Sequence, residues 1–382
     1  MKYEMSKKVR FALIGAGQLA RNQHLPNLMR SENIELAAVC DLSEEVRQIV
    51  KNEFAPSCPI ISDHRAVLED PTIEAVVIAT REDSHVPLTL EALAAGKHVY
   101  VEKPLAETAE DCRKATEAQQ KAGKIVAVGM NRRMAPAYQK AKALLDANGG
   151  AKNLYYRIAD EYAITWGKKY PGQRIFHELC HIFDILRFFT ESEVESVYCA
   201  SGRVDEEQVI LRFRSGATAG IMSSGYVWRD LPKEHLEAIA EKGALTVEDF
   251  VTLRQFALSE TEPVVQHFAG HVHPNYEQLY GEIFEDVGEE AMYSLRRRIG
   301  KHIRNTIKGV DVEKAEEYIN RSFCTNYLVD KGWQQSLDDL AAAIRDNRPY
   351  RGASVMDAYR AAQITEAVYK SRETGDLVKL EI

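Results

Sequence analysis

Residues 177–181 read His-Glu-Leu-Cys-His. On a helix, His177 and His181 stand at i and i+4 on one face, the spacing with which two imidazoles hold zinc while Glu178 serves as general base. The same stretch also suits proton transfer without a metal. An imidazole is the side chain best suited to proton transfer near neutrality, and Glu178, three residues before His181 on the same face, can hold its tautomer. A zinc site would need a third ligand from elsewhere along the chain, so the five residues alone leave both chemistries open.

A second stretch, Gly15-Ala16-Gly17-Gln18-Leu19-Ala20, follows the short apolar β-rich run "KVRFALI" and precedes residues with helical spacing. In such a strand-turn-helix the first glycine permits the sharp bend and the second lets backbone approach a pyrophosphate. The small Ala20 then allows helix and strand to pack closely. Phosphates rest on the free N–H groups at the helix start. A second strand, "IELAAVC", ends at Asp41, whose carboxylate can accept hydrogen bonds from both adenosine ribose hydroxyls. Leu42 follows Asp41 with no adjacent Arg or Lys, an arrangement that opposes a 2′-phosphate and favours NAD over NADP.

These residues need elements to carry them. The 382 residues exceed one compact core, so two domains are expected. The formal net charge of −8 provides no field for nucleic acid or an acidic membrane surface. Six cysteines without C-x-x-C spacing, and a start lacking the apolar run of a signal peptide, predict a reduced, cytoplasmic protein. No apolar run is long enough to span a membrane. From residue 1 to 130, strands alternate with helices: "IEAVVIAT", "HVPLTLEALAAG", "KHVYVEKP", "ETAEDCRKATEAQQKAG" and "KIVAVG" follow one another. This predicts a parallel doubly wound sheet, with ligands beyond its strand carboxyl ends.

From 131 to 382 the pattern becomes β-rich, predicting a sheet of at least six strands followed by two C-terminal amphipathic helices. A loop before His177 carries Tyr162, Trp166, Lys168, Lys169 and Arg174, aromatics and cations suited to sugar faces and to anionic groups. An apolar stripe repeating every four residues from Leu279 to Ile307 predicts a helical insertion near 268–330, broken near Gly288 and Gly300. The basic run "RRRIGKHIRNTIK" reads as a solvated face or as a wall for a substrate anion, and His267, His271 and His273 as a second metal candidate. The expectation for the whole chain is no metal.

The stretches "GAGQLA", "ATREDSH", "ALAAGKHVYVEKPLA" and "VGMNRRM" resemble the successive signatures of the glucose-fructose oxidoreductase and inositol dehydrogenase family, Gfo/Idh/MocA. The resemblance implies an N-terminal Rossmann domain and a C-terminal α/β domain with a large open, mostly antiparallel sheet. The exposed face of that sheet would join a homo-oligomer, a dimer or tetramer. It implies NAD contacts at Gly15, Gly17, Gln18, Leu19, Asp41, Leu42, Ala79, Thr80, His85, Glu102 and Lys103, with Lys103 beside the nicotinamide and the substrate hydroxyl. "HELCHIFD" overlays the family's Asp-x-x-x-His-x-x-Asp, making His181 the catalytic histidine, followed by Asp184. His177 stands where many members have aspartate, which leaves open what orients His181. Asn131 and Arg132 fall at the implied domain junction, and Arg133 beside them reads as a substrate group or an ion-pair partner. The substrate-binding set is Asn131, Arg132, Tyr162, Trp166, Arg174, His177 and Asp184.

Hydride leaves a carbinol carbon readily only if the hydroxyl proton leaves too, so a base must touch that oxygen while a cation stabilises the developing alkoxide. His181 suits the first role and Lys103 the second. The expected activity is NAD-dependent oxidation or reduction of a ring carbon in a sugar, cyclitol or nucleotide sugar. A glycosidase working by transient oxidation and elimination, and a non-catalytic NAD-binding protein, are the alternatives.

Overall fold

The computed structural model describes residues 7–164, 166–227, 231–268 and 329–381. The apolar stripe from Leu279 to Ile307, the basic run, His271 and His273 lie outside the described residues. Two compact units emerge, and they do not follow a single cut near residue 130. The first takes Met1–Ala135, Phe176–Ile185 and Gly332–Glu366, and the second takes Pro136–Ile175, Leu186–Lys331 and Ala367–Ile382.

The first unit is built on six parallel strands: β1 (Val9–Ile14), β2 (Ile34–Cys40), β3 (Ile60–Ile61), β4 (Ala75–Ile78), β5 (His98–Val101) and β6 (Val126–Val128). Their order is β3-β2-β1-β4-β5-β6, so the direction of winding reverses between β1 and β4. β4 reads Ala-Val-Val-Ile with every residue buried, as a strand covered on both faces requires. The helices between the strands are α1 (Leu25–Arg30), α2 (Glu44–Ile49), α3 (His64–Glu69), α4 (His85–Ala94) and α5 (Ala109–Ala122). Local chemistry sets their ends. Ser43 accepts from Val46 N at the start of α2, Thr108 accepts from Asp111 N at the start of α5, and Gly123 closes α5 at φ 62°.

Two later helices, α8 (Trp333–Arg345) and α9 (Val355–Thr374), follow α6 (Pro136–Asp146) and α7 (Cys180–Thr190). The sequence grouped the C-terminal pair with the second domain, yet α8 packs Leu337, Leu340 and Ala341 into the core formed by Phe11, Leu13, Leu28, Val77 and Tyr100. An amphipathic stripe specifies that a face must be buried; which core receives it is decided by the apolar surface left uncovered.

The second unit carries nine strands in the order β14-β13-β12-β11-β7-β10-β9-β8-β15. They are β7 (Asn153–Ala159), β8 (Val194–Arg203), β9 (Glu206–Phe213), β10 (Thr218–Ser224), β11 (Glu234–Ile239), β12 (Ala244–Glu248), β13 (Thr252–Phe256), β14 (Val265–His267) and β15 (Val378–Lys379). β7 and β10 pair in parallel and every other pair is antiparallel. β9 alternates buried and exposed residues along its length, the signature of a sheet with one face packed and one open. Under the packed face, Tyr138 and Tyr156 hydroxyls lie 2.7 Å apart, Tyr156 donates to Glu234 Oε2 at 2.6 Å, and Lys331 donates to Glu234 Oε1 at 3.2 Å.

Candidate active site

All the residues expected to meet the cofactor belong to the first unit. At the end of β1, Gly15 has φ 88°, and a Cβ there would lie 2.5 Å from Ala79 O. Only glycine lets the loops after β1 and β4 approach so closely. Gly17 differs: a Cβ on it would meet nothing within 4 Å, so this glycine leaves backbone accessible for an approaching phosphate. Gln18 is exposed and Leu19 half-buried behind it. The helix begins with a wider π-turn, Ala20–His24, before continuing as α1. This accessible glycine turn fits a dinucleotide.

Asp41 sits at the end of β2 with each oxygen engaged by backbone. Ala16 N donates to Oδ2 at 2.7 Å and Ser43 N to Oδ1 at 2.8 Å. A carboxylate has further lone pairs, so this tethering orients Asp41 while leaving acceptor capacity for ribose hydroxyls. The absence of a cation next to Asp41 holds along the chain but not in space. Arg47, on α2, donates to Asp41 O at 2.7 Å and to Leu42 O at 2.9 Å, and pairs with Glu44. Leu42 itself is exposed. A cation one turn into the helix after the acidic residue was the signal that sequence reading passed over.

Beyond β4, Thr80 Oγ1 accepts from Ser84, and His85 is buried between loops. Its Nδ1 faces Pro104 O at 2.8 Å and its Nε2 faces Thr80 O at 3.3 Å. Both ring nitrogens address backbone, so His85 ties the two loops together. Glu102 is likewise engaged within the protein. It is buried against His24, whose Nε2 donates to Oε1 at 2.7 Å, while Lys103 N donates to Oε2 at 3.1 Å. Burial pushes its carboxyl up, but the His24 bond and the nearby His24 and Lys103 charges outweigh that and hold it below its usual range.

Lys103 reaches from the end of β5 to the His-Glu-Leu-Cys-His stretch, where its ammonium donates to His177 O at 2.9 Å. That stretch is not a regular α-helix. Ile175–Leu179 form a π-turn, and α7 begins only at Cys180. The wider turn alters the register assumed for a zinc-binding helix and turns the His177 carbonyl toward the lysine. The ring of His177 faces Glu82, with Nε2 3.3 Å from Oε1. The His177 hydrogen bond holds the Glu82 carboxyl below its usual range against the effect of burial. Glu82 escaped the sequence reading because its partner lies on a distant segment. His181 is buried, and Glu178 is half-buried on the same turn. Burial pushes the Cys180 thiol up to about 11, so it is not a nucleophile at neutral pH. Among the described residues no group of three or more His, Cys, Asp or Glu side chains gathers in a form that could hold a metal.

Three residues expected to contact substrate have partners within the protein. Asp184 is fully buried, and Arg133 donates to it from Nε at 2.9 Å and Nη2 at 2.5 Å while also pairing with Asp357 at 2.8 Å. The pair is bidentate and buried, a geometry that fixes both side chains in place. In the second unit, Arg174 is fully buried: it pairs with Asp160 and donates to Ser223 Oγ at 2.9 Å and to Ile158 O at 3.1 Å. Tyr162 is buried beside it, donating to Tyr170 O at 3.2 Å. A cation beside an aromatic in a loop looks like a binding surface until its hydrogen-bond partners are counted. Lys168 and Lys169 are exposed; Trp166 begins a short 3₁₀ turn, and its side chain lies outside the described residues. Asn131 and Arg132 are buried in the 3₁₀ turn Asn131–Met134 of the first unit. Gly332 fixes that turn, since at φ 87° its Cα approaches Asn131 O and Ala135 N too closely for any Cβ.

Residues 9–130 match the family model GFO_IDH_MocA, described as an oxidoreductase family with an NAD-binding Rossmann fold. The chain is 30% identical over 262 residues to the scyllo-inositol 2-dehydrogenase (NAD(+)) of Bacillus subtilis (strain 168), covering 64% of this chain and 75% of that one. It is 26% identical over 366 residues to a 1-carboxy-3-chloro-3,4-dihydroxycyclohexa-1,5-diene dehydrogenase of Comamonas testosteroni, covering 89% of each. The scyllo-inositol dehydrogenase of Lactobacillus casei, solved with NAD(H) and scyllo-inositol, shares the fold at a TM-score of 0.69, with 16% identity over 98% of this chain and 99% of that one. The glycine turn, the Glu-Lys-Pro loop and these similarities agree, and the chain belongs to the Gfo/Idh/MocA family of NAD-binding oxidoreductases.

Proposed function

We propose that the protein is an NAD-dependent dehydrogenase that oxidises a ring CH–OH of a cyclitol or related sugar, in a reversible reaction. The observation that carries this reading is the Lys103 ammonium, presented from the cofactor-binding unit and held at 2.9 Å by the turn that leads to His181. Bound NAD supplies the hydride acceptor. Lys103 stabilises the negative charge that develops on the substrate oxygen, and His181 receives the hydroxyl proton. Glu178 and the Glu82–His177 pair shape the polar surroundings of that proton. The inositol dehydrogenases among the relatives favour a cyclitol over a nucleotide sugar.

A second copy of the chain is part of the proposal, joined through the open face of the nine-stranded sheet, as is a reduced, cytoplasmic setting for the free cysteines. Among the described residues no helix is long and apolar enough to cross a membrane.

The test is a screen of inositols, aldoses and nucleotide sugars for NADH formation, repeated with Lys103→Met and His181→Asn. The expected result is turnover of an inositol, reduced by roughly 10² to 10⁴-fold in each variant, with NAD affinity nearly intact in His181→Asn. Glycoside cleavage without net NADH, or full activity without Lys103, would refute the reading.

A further inference from the structure

His24 has no part in the chemistry described so far, yet it is fully buried and directed at the loop that carries Lys103. It closes the π-turn Ala20–His24, in the helix that follows the glycine loop. Its Nε2–H donates to one oxygen of Glu102 and the Lys103 backbone N–H donates to the other, at 2.7 and 3.1 Å. Side-chain exposures of 0% and 5% exclude solvent from this chain of contacts. The His24 ring meets Tyr100 edge-on at 5.4 Å, and Gly129 lies so close that a Cβ there would be 2.8 Å from the Glu102 carboxylate. Only a carboxylate satisfies both donors; an amide would turn its own N–H groups toward one of them.

We infer that His24 is a positioning residue for Lys103. Through Glu102 it fastens the Lys103 backbone to the helix behind the dinucleotide loop, so that the group stabilising the substrate oxygen is placed relative to the bound cofactor. Placement matters because an error of about 1 Å in a reacting group costs on the order of 100-fold in rate. The kinetic part of this inference rests on the proposed dehydrogenase activity; the position of Lys103 does not.

The test uses the full-length protein and three variants: His24→Leu, which removes the donor, His24→Gln, which retains an N–H of similar reach, and Gly129→Ala, which displaces the Glu102 carboxylate while leaving His24 in place. Two readouts are taken: kcat, KM and NAD Kd, and the rate at which acetic anhydride acetylates Lys103 relative to exposed Lys168, read by mass spectrometry. We expect His24→Leu and Gly129→Ala to lower kcat by roughly ten- to hundredfold with KM and NAD Kd held within about threefold. Relative acetylation of Lys103 should change by at least about threefold in both, and His24→Gln should recover most of each effect. Unchanged kcat and labelling, a loss that His24→Gln does not rescue, or a loss confined to thermal stability would overturn the inference. If His24→Leu does not fold, Gly129→Ala decides alone by the same criteria. If the wild type turns over none of the substrates, the proposed activity fails, and the labelling arm still decides the role of His24.

Discussion

The Asp41 carboxylate is set for two tasks: the backbone amides of Ala16 and Ser43 each occupy one oxygen, and the remaining lone pairs are open to a ribose. Asp41→Asn keeps the volume but turns an amide N–H toward one of those donors and removes the charge that opposes a 2′-phosphate. NAD affinity should fall by roughly tenfold and the preference over NADP should narrow. Titration of both cofactors checks this, and an unchanged ratio would take Asp41 out of the discrimination. Asp184 makes the opposite case. The sequence offers it as a substrate contact, and the structure pairs it with Arg133. Asp184→Asn leaves a buried guanidinium short of one charge and should cost roughly 3 kcal/mol. Chemical denaturation should report that loss, while substrate KM stays within about threefold; a KM effect without a stability effect would return Asp184 to the substrate site.

At the scale of elements, the nine-stranded sheet is the part whose exterior is unexplained by its own fold. Tyr198 pairs across to Ile210, Ile210 to Gly220 and Gly220 to Tyr155, so the four form one row on the open face. Ile210 is 56% exposed, with Tyr198 and Tyr155 exposed beside it. This row is where the proposed second copy would seat, since a copy presenting the same row is self-complementary. Ile210→Arg should therefore dissociate the assembly, as seen by sedimentation velocity at micromolar concentration. A wild-type monomer under those conditions would refute the contact.

For the molecule as a whole, the interior of the second unit holds a pH-dependent weakness. Burial pushes the Glu207 carboxyl up to about 7 from its ordinary 4.5, against the opposing effects of a Ser223 hydrogen bond at 3.0 Å and the Arg174 and Arg372 charges; Asp205 adds to the rise. Its folded-state value is raised, so its contribution to stability is fully present below about 4.5 and is lost as pH rises to about 7. At about 1.4 kcal/mol per pH unit, that loss amounts to roughly 3 kcal/mol. Glu207→Gln cannot ionise. Its stability relative to wild type should therefore improve from pH 4 to pH 8, mostly between 4.5 and 7. Denaturation curves at both ends of that range check the sign, and a difference independent of pH would show that Glu207 does not change ionisation on folding.

The fold class was legible because its signals are local. Alternating apolar runs and helical stripes, the glycine turn at Gly15 to Gly17 and the acidic end of β2 each act within a few residues, where hydrogen-bond geometry and steric limits decide the outcome. The Glu102-Lys103-Pro104 loop and His181 stood out instead through their resemblance to the family's signatures. What the sequence could not settle was which charged groups are partners. Asp184, Arg174 and Glu102 looked available until Arg133, Asp160 and His24 were found against them. Arg47, Glu82 and His24 acquired their significance only from neighbours brought in by folding. The two-unit division depends equally on tertiary packing, because the stripe of α8 states only that a face must be buried. Residue type and spacing determine what chemistry a group can perform; only the three-dimensional packing decides whether its lone pairs and charges are still free to perform it.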